Sequence, residues 1–397
     1  MSFRYANFNW FVVGSFFSRT GDWFDKLALN WFIFSITGSA FYIGLVEFFG
    51  LIPVLLFSVI GGVIADRWDR RKVLIVSQVG AMICTFAIVI VLMKFYSFIL
   101  LSVLLFIRGI FLAIEIPARN AMIPNLVPKE EMTSAVSFFS TILNASRIVG
   151  PMLAGFLLGV YQAPILILIN ACSFLIVIYS LYKISPVEQE MTPQNSELGV
   201  VQGVREAIDY LRFHPFVLGV FILGTVPMIF GFPYSTLLPV FAKEILQAGP
   251  SGFGLLLSAN AVGSVLCTLV LGWGVVKIPK GRLLFGCIVG FGAGLIFFAF
   301  SHWMMLSLLL MFLVGVFSMG YRIVERLIIQ ETIPDHMRGR ILSIVMMDSG
   351  LVPLGNVLIG FCSVYIGPVL ALCLMGGICI LTASVVLLKN REVISVS

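Results

Sequence analysis

GGVIADRWDRRKVL, residues 61–74, packs six charged side chains into the seven positions Asp66–Lys72, between two long apolar runs. The rest of the chain explains why that knot matters. Of 397 residues, 60% are hydrophobic and only 11% charged, and the mean hydropathy is +1.07. Soluble domains carry about 25% charged residues, so an aqueous fold is excluded. In hydrocarbon every backbone polar group must find its partner within the protein, which leaves helices or a closed barrel. Continuous runs of Leu, Ile, Phe and Gly, without strand-like alternation, select helices.

The runs place twelve spans at about 8–36, 40–65, 73–93, 97–118, 134–160 and 163–182, then 216–242, 253–276, 283–302, 304–321, 341–366 and 368–388. The knot is then the tight turn between the second and third spans. Between the two sixes, residues 183–215 open polar and continue as VREAIDYLRF, with Val204, Ile208 and Leu211 on one helical face. That pattern predicts a linker followed by a short surface helix. The division expected is a six-helix bundle over 1–182, the linker, and a second bundle with a short tail over 216–397. The first apolar stretch carries Arg19, Asp22, Asp25 and Lys26 and lacks a small-residue cleavage site, so it reads as a span and not a cleaved signal.

Basic residues orient the chain. With both termini cytoplasmic, the inner loops and tails hold 19 Lys and Arg and the outer loops two. Basic loops stay inside, so the net charge of +6 is a topology signal, and no nucleic acid partner is expected. The seven cysteines all fall within spans, where they read as small apolar packers; neither metal nor cofactor is expected. The halves also echo each other. FIRGIF (106–111) aligns with FLVGVF (312–317), Pro128 with Pro334, and Gly150 and Gly155 with Gly355 and Gly360. Duplicated six-span halves place a substrate site near the bilayer midplane.

The knot resembles the signature of the major facilitator superfamily, G-x-x-x-D-R-x-G-R-R, through Gly62, Asp66, Arg67, Arg70 and Arg71; Asp69 stands where the family has glycine. ADRWDRRKVL, with P-x-R-N-A-M-I-P-N-L-V-P after the fourth span, resembles the branch of macrolide-efflux and enterobactin-exporter-like carriers. The resemblance implies twelve helices in two pseudo-symmetric bundles, working as a monomer in the cytoplasmic membrane among lipid. It also implies a conformational latch, in which Asp66 meets the start of the eleventh span near Arg340–Ser343 and Arg70 pairs with Glu115. A plain topology anchor is the alternative for the knot.

Ionisable groups at bilayer depth are functional candidates. Arg19, Asp22 and Lys26 fall at i, i+3 and i+7 on one face of the first span, with Asp25 about 60° further round. Asp22, then Asp25, are candidates for proton coupling, with Glu47 as a second protonation site and Arg108 as partner; a permanently paired structural cluster is the alternative. In the fifth span, STILNASRIVGPMLAG resembles the antiporter signature through Gly150, Pro151 and Gly155, and places Asn144 and Arg147 with Arg19 as cavity candidates. Phe230, Tyr234, Asn260 and Tyr321 are the cavity candidates of the second half, as an apolar wall with sparse polar contacts.

The function expected is a proton-coupled exporter, an antiporter, for a bulky organic small molecule: a drug such as a macrolide, or a metallophore. An importer or lysolipid flippase of the same fold is the second reading, and a membrane sensor or intramembrane enzyme the third. No HExxH, nucleophile constellation or P-loop is present, so an enzyme or an ATP-driven pump is not expected.

Overall fold

The computed structural model describes residues 5–185, 209–210, 212–274, 278–334, 341 and 348–389. The linker expected at 183–215 and its amphipathic stretch lie largely outside the described residues, as do most of Arg340–Ser343 and the side chain of Asp348.

Everything long is helical. The first half supplies α1 (Ala6–Thr37), α2 (Ala40–Arg67), α3 (Arg70–Lys94), α4 (Phe98–Met122), α5 (Met132–Val160) and α6 (Ala163–Lys183). The second supplies α7 (Pro215–Phe230), α8 (Gly249–Gly272), α9 (Lys280–Ala299), α10 (Met304–Thr332) and α11 (Val352–Lys389). Among the described residues, ten helices are long and apolar enough to cross a membrane; α1, with its charged row, is not one of them. On α3, Val76, Ile83 and Ile90 lie one heptad apart and are 64%, 60% and 52% exposed. A bare apolar stripe at that spacing requires a hydrocarbon solvent, and the chain is a multi-pass membrane protein.

Local chemistry sets the breaks. The seventh span, expected as one run over 216–242, stops at Phe230 and continues as a 3-10 turn (Phe232–Thr236), a short α turn (Leu238–Val240) and a π turn (Phe241–Ile245). Pro227, Pro233 and Pro239 each lack the N–H that a continuous α ladder needs. In α11, Gly367 has φ 82° and ψ 160°, so the helix is two legs joined at that residue. Only glycine adopts such a backbone cheaply, and the break falls where the eleventh and twelfth spans were expected to part.

The chain divides into two compact units. Unit 1 comprises Met1–Gly38, Leu45–Pro193 and Ala248–Ser258; unit 2 comprises Ser39–Gly44, Gln194–Gln247 and Ala259–Ser397. In unit 1, α1 packs on α5 and α6, and α3 packs on α4 and α6. In unit 2, α9 packs on α10 and α11, and α7 on α10 and α11.

The sequence echo recurs as contact. Phe111, which ends FIRGIF, fills the space over Gly80 of α3, and Phe317, which ends FLVGVF, does the same over Gly290 of α9. A Cβ on Gly109 would meet Gly50 and Pro53 of α2, and one on Gly315 would meet the backbone of Asn260 on α8. Small residues at these crossings let backbones approach closely.

Candidate functional site

The knot is a brace at one end of unit 1. Asp69 caps α3, accepting hydrogen bonds from the amides of Arg71 (2.9 Å) and Lys72 (3.3 Å). A capping carboxylate is a structural reason for aspartate where the family has glycine. Arg70 donates Nη1 to the carbonyl of Ala121 (2.8 Å) and to Asn125 Oδ1 (3.3 Å). Arg71 donates Nε and Nη2 to the carbonyls of Leu181 (2.7 Å) and Tyr182 (2.9 Å) at the end of α6. Beneath lies an apolar cluster that includes Phe8, Leu74, Met122, Leu126 and Leu181. The α2–α3 turn is thereby tied to the ends of α4 and α6.

One expectation is corrected here. Arg70 does not pair with Glu115; its acid is Asp66, at 3.9 Å, and its close partners are on Ala121 and Asn125. Glu115 points into the unit, where two other arginines hold it. Gly62 meets no neighbour within 4 Å among the described residues; the close approach falls at Gly61, against Ala113 of α4. Asp66 and Arg67 are exposed. Replacing Asp69 with alanine removes the cap and will cost about 1 kcal/mol of local stability. The measurement is faster amide exchange at Arg71 and Lys72, with α1 unaffected.

The charged row of α1 faces two clefts in unit 1. Asp25 Oδ2 meets Arg108 Nη2 of α4 at 2.8 Å. Lys26 Nζ meets Glu47 Oε1 of α2 at 3.2 Å, and Asn30 donates Nδ2 to the same oxygen at 2.8 Å. Arg19 is forked: Nη1 reaches Asp22 Oδ2 at 3.1 Å and Nη2 reaches Glu115 Oε1 at 2.9 Å. Glu115 also holds Arg119, one helical turn along α4. The side chains of Asp25, Glu47, Glu115 and Arg119 are almost wholly buried, whereas Asp22 is 39% exposed. Buried charges of this kind persist only when paired.

The larger cleft, about 400 Å³, lies between α1, α4 and α5 and is lined by Arg19, Asp22, Lys26, Arg119 and Arg147, with Trp23 and Phe139 among its walls. The smaller, about 240 Å³, opens toward α2 and α4 and is lined by Arg19, Asp22, Lys26, Asp25, Glu47, Arg108 and Glu115. Asp22 and its two basic neighbours border both. The structure thus brings together Asp22, Asp25, Glu47, Arg108, Arg19 and Arg147, and adds Arg119, which sequence reading passed over. The signal was present: Glu115 and Arg119 stand at i and i+4.

Other candidates fall elsewhere. Asn144 is half-buried and does not line the larger cleft; Leu143, Ser146 and Arg147 do. In unit 2, Tyr321 is fully buried and Tyr234 nearly so, packed around Phe291 with ring centroids at 5.9 and 6.4 Å. Phe232 closes the same cluster, and Arg322 lies 5.4 Å from its ring. Asn260 is buried and donates to the Met311 carbonyl at 3.4 Å. Tyr234, Tyr321 and Asn260 are packing residues of unit 2, not walls of an open cavity; Phe230 is half-buried at the end of α7.

A long apolar helical chain whose buried charges border clefts between its helices is built as a membrane transporter. The family described as transmembrane secretion effectors matches residues 1–396, and this chain belongs to it, within the macrolide-efflux and siderophore-exporter branch of the major facilitator superfamily. It is 34% identical over 387 residues to the staphyloferrin A transporter of Staphylococcus aureus (strain NCTC 8325 / PS 47), covering 96% of both chains. It is 26% identical over 255 residues to macrolide efflux protein A of Streptococcus pyogenes, covering 62% of this chain and 61% of that one. Among solved structures, the nucleoside transporter NupG superposes with a TM-score of 0.76 at 14% identity, covering 97% of this chain and 99% of that one. The D-xylose–proton symporter gives 0.70 at 16%, covering 95% and 97%. At such identities these two speak for the fold alone.

Proposed function

We propose that this transporter is a proton-coupled exporter, an antiporter, that moves a bulky organic small molecule outward across the cell membrane. Its helices number twelve, in two pseudo-symmetric bundles over 1–182 and 216–397, with a cytoplasmic linker between them and both termini inside. It works as a monomer, with lipid around it. The recurrence of the Gly80–Phe111 contact as Gly290–Phe317 supports the duplicated halves. The basic loops support the orientation.

One observation carries the coupling: Asp22 borders both clefts and is the most exposed acid of the cluster. A carboxylate open to both spaces can take a proton from one and give it to the other, while Asp25, Glu47 and Glu115 hold the basic side chains in place. The latch role belongs to Asp66, Arg67, Arg70 and Arg71, of which Arg70 and Arg71 tie the α2–α3 turn to the ends of α4 and α6. As substrate, a metallophore is favoured by the 34% identity to the staphyloferrin A transporter across nearly the whole chain.

The test is uptake of labelled substrate into inverted vesicles with and without an imposed proton gradient. Asp22→Asn, at matched protein level, is expected to abolish the gradient-dependent part. Uptake that proceeds unchanged in the variant, or that needs no gradient in the unaltered protein, sinks the assignment.

A further inference from the structure

The two clefts that share Asp22 differ in charge. The larger has four basic side chains, Arg19, Lys26, Arg119 and Arg147, against the single acid Asp22. The smaller has four acids, Asp22, Asp25, Glu47 and Glu115, against Arg19, Lys26 and Arg108. Basic groups therefore concentrate toward α5 and acids toward α2, with Asp22 on the boundary.

We infer that this segregation selects an amphoteric organic acid, its carboxylates held by Arg119 and Arg147 in the larger cleft and a cationic or hydrogen-bond-donating group held by Asp22. The inference rests on the exporter reading and adds the chemical class of the cargo. Three of the four acids are committed within the protein: Asp25 to Arg108, Glu47 to Lys26 and Asn30, Glu115 to Arg19 and Arg119. Among the described residues Asp22 has a single ion-pair partner, Arg19 at 3.1 Å, and a carboxylate accepts about four hydrogen bonds. Arg119 meets Glu115 through Nη2, and a guanidinium carries five N–H donors. It therefore retains donors for a carboxylate in the cleft that it lines. Trp23 and Phe139 supply apolar wall for the body of such a molecule.

Amphoteric cargo also gives the sign that antiport needs. A donor group on Asp22 and a proton on Asp22 exclude each other, so the cargo expels the proton. A purely anionic ligand that drew Arg19 off Asp22 would do the reverse and bind together with a proton. The charged groups facing Asp22 are Arg19, Asp25 and Lys26 from α1, Glu47 from α2, Arg108, Glu115 and Arg119 from α4, and Arg147 from α5.

Three xanthene dyes test this by fluorescence anisotropy on the full-length protein in nanodiscs: rhodamine 19 (carboxylate and N–H-bearing cation), rhodamine 6G (the ethyl ester of rhodamine 19) and 5-carboxyfluorescein (anion only). Rhodamine 19 is expected to bind about tenfold more tightly than rhodamine 6G, the worth of one charge-assisted hydrogen bond. Its affinity rises with pH and its binding releases a proton, whereas carboxyfluorescein weakens as pH rises. The charge-balanced pair Glu115→Gln with Arg119→Gln, which leaves Arg19 its ion pair with Asp22, removes the preference, and Asp22→Asn removes the proton release. Rhodamine 6G binding as well as rhodamine 19, a preference that survives the paired variant, or no binding of any dye overturns the inference. Binding as expected without gradient-driven dye uptake in inverted vesicles leaves the site intact and rejects the exporter reading instead.

Discussion

Arg108→Ala will destabilise the protein by about 3–5 kcal/mol, the range found when one member of a buried ion pair is removed. The reason is on the other side of the pair. Asp25 is 5% exposed; its Oδ2 depends on Arg108, and its Oδ1 is buried without a hydrogen-bond partner among the described residues. Deleting the guanidinium leaves a buried ion with nothing to compensate it. The neutral pair Asp25→Asn with Arg108→Gln should recover most of the loss. Thermal unfolding in detergent measures both: a midpoint that falls as far in the pair as in the single variant would show that shape, not charge, holds α1 to α4.

The second large effect is at Glu115. Its carboxylate holds Arg19 from α1 and Arg119 from its own helix, and both Glu115 and Arg119 are 6% exposed at the side chain. Glu115→Ala leaves the almost wholly buried Arg119 without its acid and takes from Arg19 one of its two, and is expected to cost about 3–5 kcal/mol. Glu115→Gln keeps an acceptor oxygen and should cost less, because an amide still receives N–H donors although it lacks the charge. Midpoints of both variants equal to that of the unaltered protein would mean that neither arginine relies on this residue. In cells the alanine form should appear chiefly as lost protein, since misfolded chain is cleared.

Much of the site was legible because it lies on one helix. Arg19, Asp22 and Lys26 at i, i+3 and i+7 face one way whatever surrounds them. The partners could not be read. Glu115 is seven residues from Arg108 and was matched to Arg70, yet the structure sets it against Arg19, 96 positions away, because α1 and α4 border the same clefts in unit 1. Charge type alone does not distinguish one distant arginine from another. Asn144 and Arg147 were expected together on the cavity face; the rotation of α5 instead presents Leu143, Ser146 and Arg147, one helical step aside. Tyr321 and Tyr234 failed for a different reason. An aromatic flanked by apolar residues reads alike in a core and in a cavity wall, and only the rings of Phe232 and Phe291 decide between them.

The membership of the compact units has a practical outcome. Pro250 and Gly254 of α8 belong to unit 1, where Gly155 of α5 is shaped to their backbone, and Ala40 of α2 belongs to unit 2 beside Gly360. Severing the polypeptide within 183–215 therefore yields fragments that each lack a stretch their own helices are moulded around. Such fragments call for co-expression, since a single one presents a glycine-lined furrow that its missing counterpart was made to fill.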